Sequence, residues 1–123
     1  MTNPLAFIIE DDEQLATIFA FAFKDAEFET EILRNGRVAL ERLGAISPSV
    51  VVLDMHLPHV SGKEILHFIR AEPQLVDTPV LLATADPGLG DSLEKEVDQV
   101  LIKPISFVVL RDIARQFRAR TSL

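Results

Sequence analysis

Three uninterrupted apolar runs, Leu5–Ile9 (LAFII), Val50–Leu53 (VVVL) and Pro79–Ala83 (PVLLA), constrain this chain more than any other feature. A strand with one face in water alternates apolar and polar residues. These runs do not alternate, so each strand needs apolar cover on both faces, as in a parallel sheet packed between helices. The intervening segments supply the cover. Glu13–Ala26, Arg37–Ile46, Ser61–Glu72 and Ser106–Arg120 read as helices. Ile65, Leu66, Phe68 and Ile69 give the third helix an inward face, and Phe107, Leu110, Ala114 and Phe117 do so for the last. Phe28–Leu33 alternates, as a more exposed strand does, and Val100–Ile102 reads as a fifth, very short strand. Asn35-Gly36 marks a turn and Ser47-Pro48-Ser49 a break. With Pro87, Gly88 and Gly90 in its segment, the fourth helix is predicted to be short or displaced, over Asp91–Val97.

Five β-then-α units predict an α/β fold, a single doubly wound (βα)5 domain over residues 1–123 with helices on both faces of a five-stranded parallel sheet. In such open sheets a site forms beyond the carboxyl ends of the strands. The residues that follow the runs are Glu10-Asp11, Asp54, Thr84 and Lys103-Pro104. Three carboxylates gathered at one sheet edge repel each other, and repulsion raises carboxyl pKa values. Lys103 supplies one compensating charge, and a divalent cation bound by oxygens is the natural remainder; Mg²⁺ typically takes one or two carboxylates and keeps several waters.

In order along the chain, Glu10-Asp11 after FII, Asp54 in VVLDMHLP followed by Gly62, Thr84-Ala85 after PVLLA and Lys103-Pro104 in LIKP resemble the receiver domain of two-component response regulators, the chemotaxis-regulator-like family. Asn35-Gly36 followed by Ala39-Leu40 matches the usual turn into its second helix. The resemblance implies a flavodoxin-like fold with strand order 2-1-3-4-5. It implies that Asp54 accepts a phosphoryl group from a phosphohistidine on a partner, a sensor histidine kinase or a histidine phosphotransfer protein. By the same resemblance, Asp11, Asp54 and the backbone carbonyl of His56 ligate Mg²⁺, with Glu10 acting mostly through water. Thr84 would hydrogen-bond the phosphoryl oxygens, Lys103 would pair with Asp54 and then with the phosphoryl group, and Pro104 would follow a cis peptide. His56 and Asp86 would flank the phosphoryl group. The implied role is a switch or phosphorelay intermediate with a downstream effector, capable of self-phosphorylation and slow autodephosphorylation rather than a free-standing enzyme.

The residues taken singly have ordinary readings: Asp54 as a loop cap, Thr84 as a strand residue, Lys103 as a surface lysine, and Asp12 as the N-cap of the first helix. A receiver-like interaction or scaffold domain working without phosphorylation is the alternative reading. Val100 favours it, because Val100 stands where the family usually carries Tyr or Phe, and the Thr84–Lys103 segment is shorter than usual. A phosphatase-type hydrolase ranks lower, since His56 occupies the place of its second acid. With 12 Lys plus Arg against 19 Asp plus Glu and a net charge of −7, neither direct nucleic-acid binding nor an anionic membrane surface is expected. The absence of cysteine excludes thiolate chemistry, and with no signal-like start or membrane-length apolar run the expected location is the cytoplasm. In the first helix Leu15, Ile18, Phe19, Ala22 and Phe23 share the side expected to pack on the sheet. Phe21 falls off that side and is predicted to be partly exposed, as a candidate anchor for a helical partner.

Overall fold

Each apolar run becomes a strand whose successive side chains feed two separate cores. The computed structural model describes residues 3–121. Its elements are β1 (Leu5–Ile9), α1 (Glu13–Asp25), β2 (Glu29–Leu33), α2 (Gly36–Ala45), β3 (Val50–Asp54), α3 (Gly62–Ala71), β4 (Val80–Thr84), α4 (Pro87–Leu93), a 3₁₀ turn (Glu94–Glu96), β5 (Gln99–Ile102) and α5 (Phe107–Thr121). All strand pairs are parallel, in the order β2-β1-β3-β4-β5. The fold is the flavodoxin-like, doubly wound α/β arrangement expected of the sequence.

Because strand side chains alternate between faces, β1 sends Ala6 and Ile8 to one core and Phe7 and Ile9 to the other. The first core lies under α1 and α5 and is built around Phe19, Phe23, Leu110 and Phe117. The second lies under α2, α3 and α4, around Leu43, Ile65, Leu66, Ile69 and Leu93. Each fully buried Leu, Ile or Phe contributes about 1.5–3 kcal/mol of burial free energy, so these two layers hold the sheet from both sides.

Side-chain caps set where the helices begin. Asp12 caps α1, its carboxylate accepting the Leu15 N–H at 2.9 Å, as expected. Asn35 does the same for α2 through Val38, and Ser61 for α3 through Glu64. Two expectations need correction. The fourth helix starts at Pro87, not Asp91. Asp86 accepts the N–H groups of Gly88 and Leu89, and Pro87 takes the first helical position, where its missing N–H costs nothing. Ile18 is 43% exposed rather than packed on the sheet, while Ala16 and Ala20 join Phe19, Ala22 and Phe23 in the buried face. The buried side of α1 is rotated because the helix rests on α5 as well as on the sheet.

Two glycines mark close approaches that no larger residue would allow. A Cβ on Gly36 would overlap Val60 in the β3–α3 loop, and one on Gly62 would overlap the carbonyl oxygen of Asp54 and stand 2.7 Å from Met55 Cα. Farther from the site, Arg70 donates to the carbonyls of Val76, Thr78 and Glu96 and to Asp98, whose carboxylate also accepts the Val80 N–H. This network ties the end of α3 to the approaches of β4 and β5.

Candidate functional site

Parallel pairing brings the C-terminal ends of the strands level. Ile9 is opposite Leu53, Asp54 opposite Ala83, and Thr84 opposite Ile102. The polar residues at those ends therefore share one edge of the sheet. Asp54 closes β3 and is 2% exposed, Thr84 closes β4 at 0%, and Glu10, just past β1, is 1% exposed. Asp11 beside it faces solvent. One carboxylate oxygen from each of Glu10, Asp11 and Asp54 lies within 4.8 Å of the others. Lys103 follows β5, its peptide to Pro104 is cis, and its ammonium reaches back across the edge.

That ammonium is shared. Nζ donates to Glu10 Oε1 at 3.0 Å and to Asp54 Oδ1 at 3.2 Å. Asp54 Oδ1 also accepts the His56 N–H at 3.2 Å, and Glu10 Oε2 accepts the Asp12 N–H at 3.2 Å. Burial raises the Glu10 carboxyl to about 7, with hydrogen bonding to Asp54 and the Asp54 charge adding to the rise and Lys103 opposing it. For Lys103, burial alone would lower the pKa, but the hydrogen bond to Glu10 and the charges of Asp54 and Glu10 outweigh it, and the net shift is upward. One ammonium does not neutralise three carboxylates. The donor set left over is hard, oxygen-only and open to solvent at Asp11, which fits a small divalent cation such as Mg²⁺.

The sequence-predicted site residues thus converge, with two refinements. Lys103 pairs with Glu10 as closely as with Asp54. The Asp86 carboxylate is turned into the cap of α4, while its own N–H donates to Thr84 Oγ1 at 3.1 Å. The His56 side chain is exposed at the rim. Sequence reasoning missed Arg34, whose guanidinium donates to the Asp11 carbonyl at 2.9 and 3.3 Å and fixes the loop that carries the acidic pair. A single arginine after an edge strand carries no motif that would have singled it out.

The Glu10 shift has a measurable sign. A carboxyl raised from 4.5 to about 7 by folding holds its proton more tightly folded than unfolded, so it penalises folding as pH rises across that window. In metal-free solution, with chelator present, stability is expected to drop by on the order of 2 kcal/mol between pH 5 and pH 8 from this group. Urea unfolding at both pH values checks this. Glu10→Gln should flatten the difference, and an equally steep dependence in that variant would assign it to other groups.

Compared with known proteins, residues 6–115 match the family model of the response regulator receiver domain. The probable methanogenesis regulatory protein FilR2 of Methanothrix harundinacea is 31% identical over 125 residues, covering 93% of this chain and 81% of that one. Against other curated relatives the chain spans about a third to a half of their length. Among solved structures, the signal receiver domain of a signal transduction histidine kinase from Syntrophus aciditrophicus superposes with a TM-score of 0.83 at 28% identity, covering 95% of this chain and 91% of that one. The receiver domain of sensor histidine kinase PA1611 from Pseudomonas aeruginosa, which has a magnesium ion coordinated in its active site cleft, shares the fold at a TM-score of 0.84 and 19% identity, covering 96% of this chain and 99% of that one.

Proposed function

The chain belongs to the response regulator receiver domain family, and from that premise we propose that Asp54 accepts a phosphoryl group from a phosphohistidine on a partner, making residues 1–123 a receiver unit that works as a switch or phosphorelay intermediate. The observation that carries this reading is the buried Asp54 carboxylate held by Lys103 within a three-carboxylate cluster. A carboxylate oxygen forms the new O–P bond as the P–N bond of the phosphohistidine breaks and the imidazole nitrogen keeps the electron pair. One Asp54 oxygen is already engaged by Lys103 and the His56 N–H, which leaves the other for the incoming group. Lys103 balances charge on the equatorial oxygens, and the buried Thr84 hydroxyl stands at the adjacent strand end to donate to them. Asp11, Asp54 and the His56 carbonyl are the proposed Mg²⁺ ligands, with Glu10 behind them through water; the bound ion would neutralise phosphoryl charge that Lys103 alone cannot. Slow hydrolysis of the aspartyl phosphate returns the resting state, and no other turnover is required of the chain.

The test is intact-mass measurement after incubation with Mg²⁺ and acetyl phosphate. One acid-labile phosphoryl group per chain is expected, and none when Mg²⁺ is chelated before the donor is added. A chain that stays unmodified under saturating donor would instead support a scaffold role without phosphorylation, the reading that Val100 favours. No helix among the described residues is long and apolar enough to cross a membrane. The proposed partner is a sensor histidine kinase or a histidine phosphotransfer protein in the cytoplasm, with a separate effector downstream.

Phe21 is the proposed contact for that partner. It is 63% exposed and its ring meets Phe107 at 5.6 Å between centroids, tilted by 60°. Thr17, Ile18, Phe21, Ile105 and Phe107 line an apolar groove that runs on through Ile18 and Ile105 toward Lys103 and Ala85 at the acceptor edge. A helix laid in this groove would end near Asp54. Phe21→Ala is expected to weaken that docking by about 1–2 kcal/mol, slowing transfer from the cognate partner while leaving acetyl phosphate uptake unchanged. Equal slowing with both donors would place the damage in the site, and no slowing with either would remove Phe21 from the interface.

A further inference from the structure

Gly90 lies inside α4, buried against the last strand. A Cβ at this position would stand 2.8 Å from Val100 Cγ1, 3.3 Å from Ile102 Cδ1 and 3.7 Å from Thr84 Cγ2. A methyl group there overlaps Val100, whose branched side chain has little rotational freedom with which to yield. Glycine lets α4 lie this low on β5, and Val100 is the surface on which it rests. From Gly90 the path to the acceptor edge is short. The Gly90 N–H donates to the Asp86 carbonyl at 3.1 Å, and the Asp86 N–H donates to Thr84 Oγ1 at 3.1 Å. The Asp86 carboxylate holds the Gly88 and Leu89 N–H groups at 2.9 and 3.2 Å, so Asp86 moves with the helix it caps. On the other side, the Thr84 carbonyl accepts the Lys103 N–H at 2.9 Å.

A threonine hydroxyl has one proton to give and lone pairs to receive. With a lone pair occupied by the Asp86 N–H, the O–H of Thr84 is left to donate elsewhere, and its orientation depends on where α4 holds Asp86. We propose that Gly90 and Val100 form a positioning pair that sets the height of α4 over the sheet and, through Asp86, the orientation of the Thr84 hydroxyl at the acceptor site. This inference rests on the reading of Asp54 as phosphoryl acceptor with Thr84 as a donor to the phosphoryl oxygens. It assigns a place in the reaction to two residues that touch none of the reacting atoms.

The experiment measures initial rates of phosphoryl uptake from acetyl phosphate, with Mg²⁺ affinity measured separately, for wild type, Gly90→Ala, Val100→Ala, the double variant, and each of these combined with Thr84→Ala. Gly90→Ala is expected to slow uptake about tenfold, a displacement effect on a positioned donor, while Mg²⁺ affinity stays unchanged. Removing Val100 Cγ1 makes room for the new methyl group, so the double variant should recover the rate of Val100→Ala. In the Thr84→Ala background Gly90→Ala should cost nothing more, because the group it misplaces is gone. If Gly90→Ala does not fold, the Val100→Ala background supplies the same comparison, and there the added methyl group is expected to be tolerated. A wild-type rate in Gly90→Ala, a failure of Val100→Ala to rescue it, or a full additional loss on top of Thr84→Ala would each overturn the pair while leaving the acceptor reading standing. A wild-type chain that takes up no phosphoryl group would overturn the acceptor reading and the inference together.

Discussion

Asp54→Asn is expected to abolish phosphoryl uptake while leaving the protein folded. The amide keeps the shape of the carboxylate but has no anionic oxygen to form the O–P bond. It also removes a charge from a crowded edge. Asp54 is one of the groups that push Glu10 upward, so in the variant Glu10 should ionise more readily and take over the whole of the Lys103 ammonium, to which it already lies at 3.0 Å. The metal-free variant should therefore resist urea at least as well as wild type at pH 8. Intact mass after exposure to Mg²⁺ and acetyl phosphate reads the first effect and urea unfolding the second. An acid-labile phosphoryl group that still appears on Asp54→Asn would move the acceptor elsewhere.

The second large effect concerns stability. Gly62→Ala is expected to destabilise the chain by about 3 kcal/mol, because the added methyl group has nowhere to go. Its neighbours would be backbone: the Asp54 carbonyl group, within overlap distance, and Met55 Cα at 2.7 Å. Backbone at the end of a fully buried strand cannot swing aside as a side-chain tip can. The Gly62 N–H also donates to the Met55 carbonyl at 3.2 Å, so pushing α3 outward breaks a hydrogen bond in the loop that follows the proposed acceptor. A loss of this size is a large part of the margin of a small domain. Gly44→Ala is the matched control. Gly44 is helical, and a Cβ there would meet nothing within 4 Å, so the same substitution should stabilise by about 0.5–1 kcal/mol. Denaturant midpoints of the two variants should move in opposite directions, and a destabilisation of Gly62→Ala below about 1 kcal/mol would show that the β3–α3 junction relaxes more easily than its packing implies.

Much of the fold could be read from residue order because its signals are local. An unbroken run such as VVVL admits few fates, and polar residues at the ends of parallel strands must meet once the strands lie side by side. That is why residue order alone groups Glu10, Asp11, Asp54, Thr84 and Lys103. The misses were of another kind. The start of α4 was hidden because Pro87 and Gly88 signal a break when read alone and a helix N-terminus only once the Asp86 side chain is seen to cap it. Ile18 was misplaced because helical periodicity names an apolar stripe but not which neighbour that stripe faces, and α5 lies 80 or more residues away in sequence. Arg34 owes its role to a contact between distant segments, and no spacing in the chain announces it, whereas Gly36 and Gly62 stand at motif positions whose packing reason, a Cβ with no room, only the folded chain displays.

The alternation of β1 between two cores has a consequence for how such a chain can change over generations. The layer under α1 and α5 and the layer under α2, α3 and α4 are assembled from different side chains, interleaved residue by residue along the same strands. A substitution in one layer therefore alters side-chain contacts within that layer and reaches the other only through the shared strand backbones. The groove beside Phe21 is built on the first layer, whereas Leu53, Met55 and Ile65, which brace the end of β3 and the start of α3, belong to the second. Side chains lining the proposed docking groove can therefore vary while Leu53, Met55 and Ile65 keep the neighbours that brace the end of β3, so under that proposal partner choice can change around an unaltered acceptor edge.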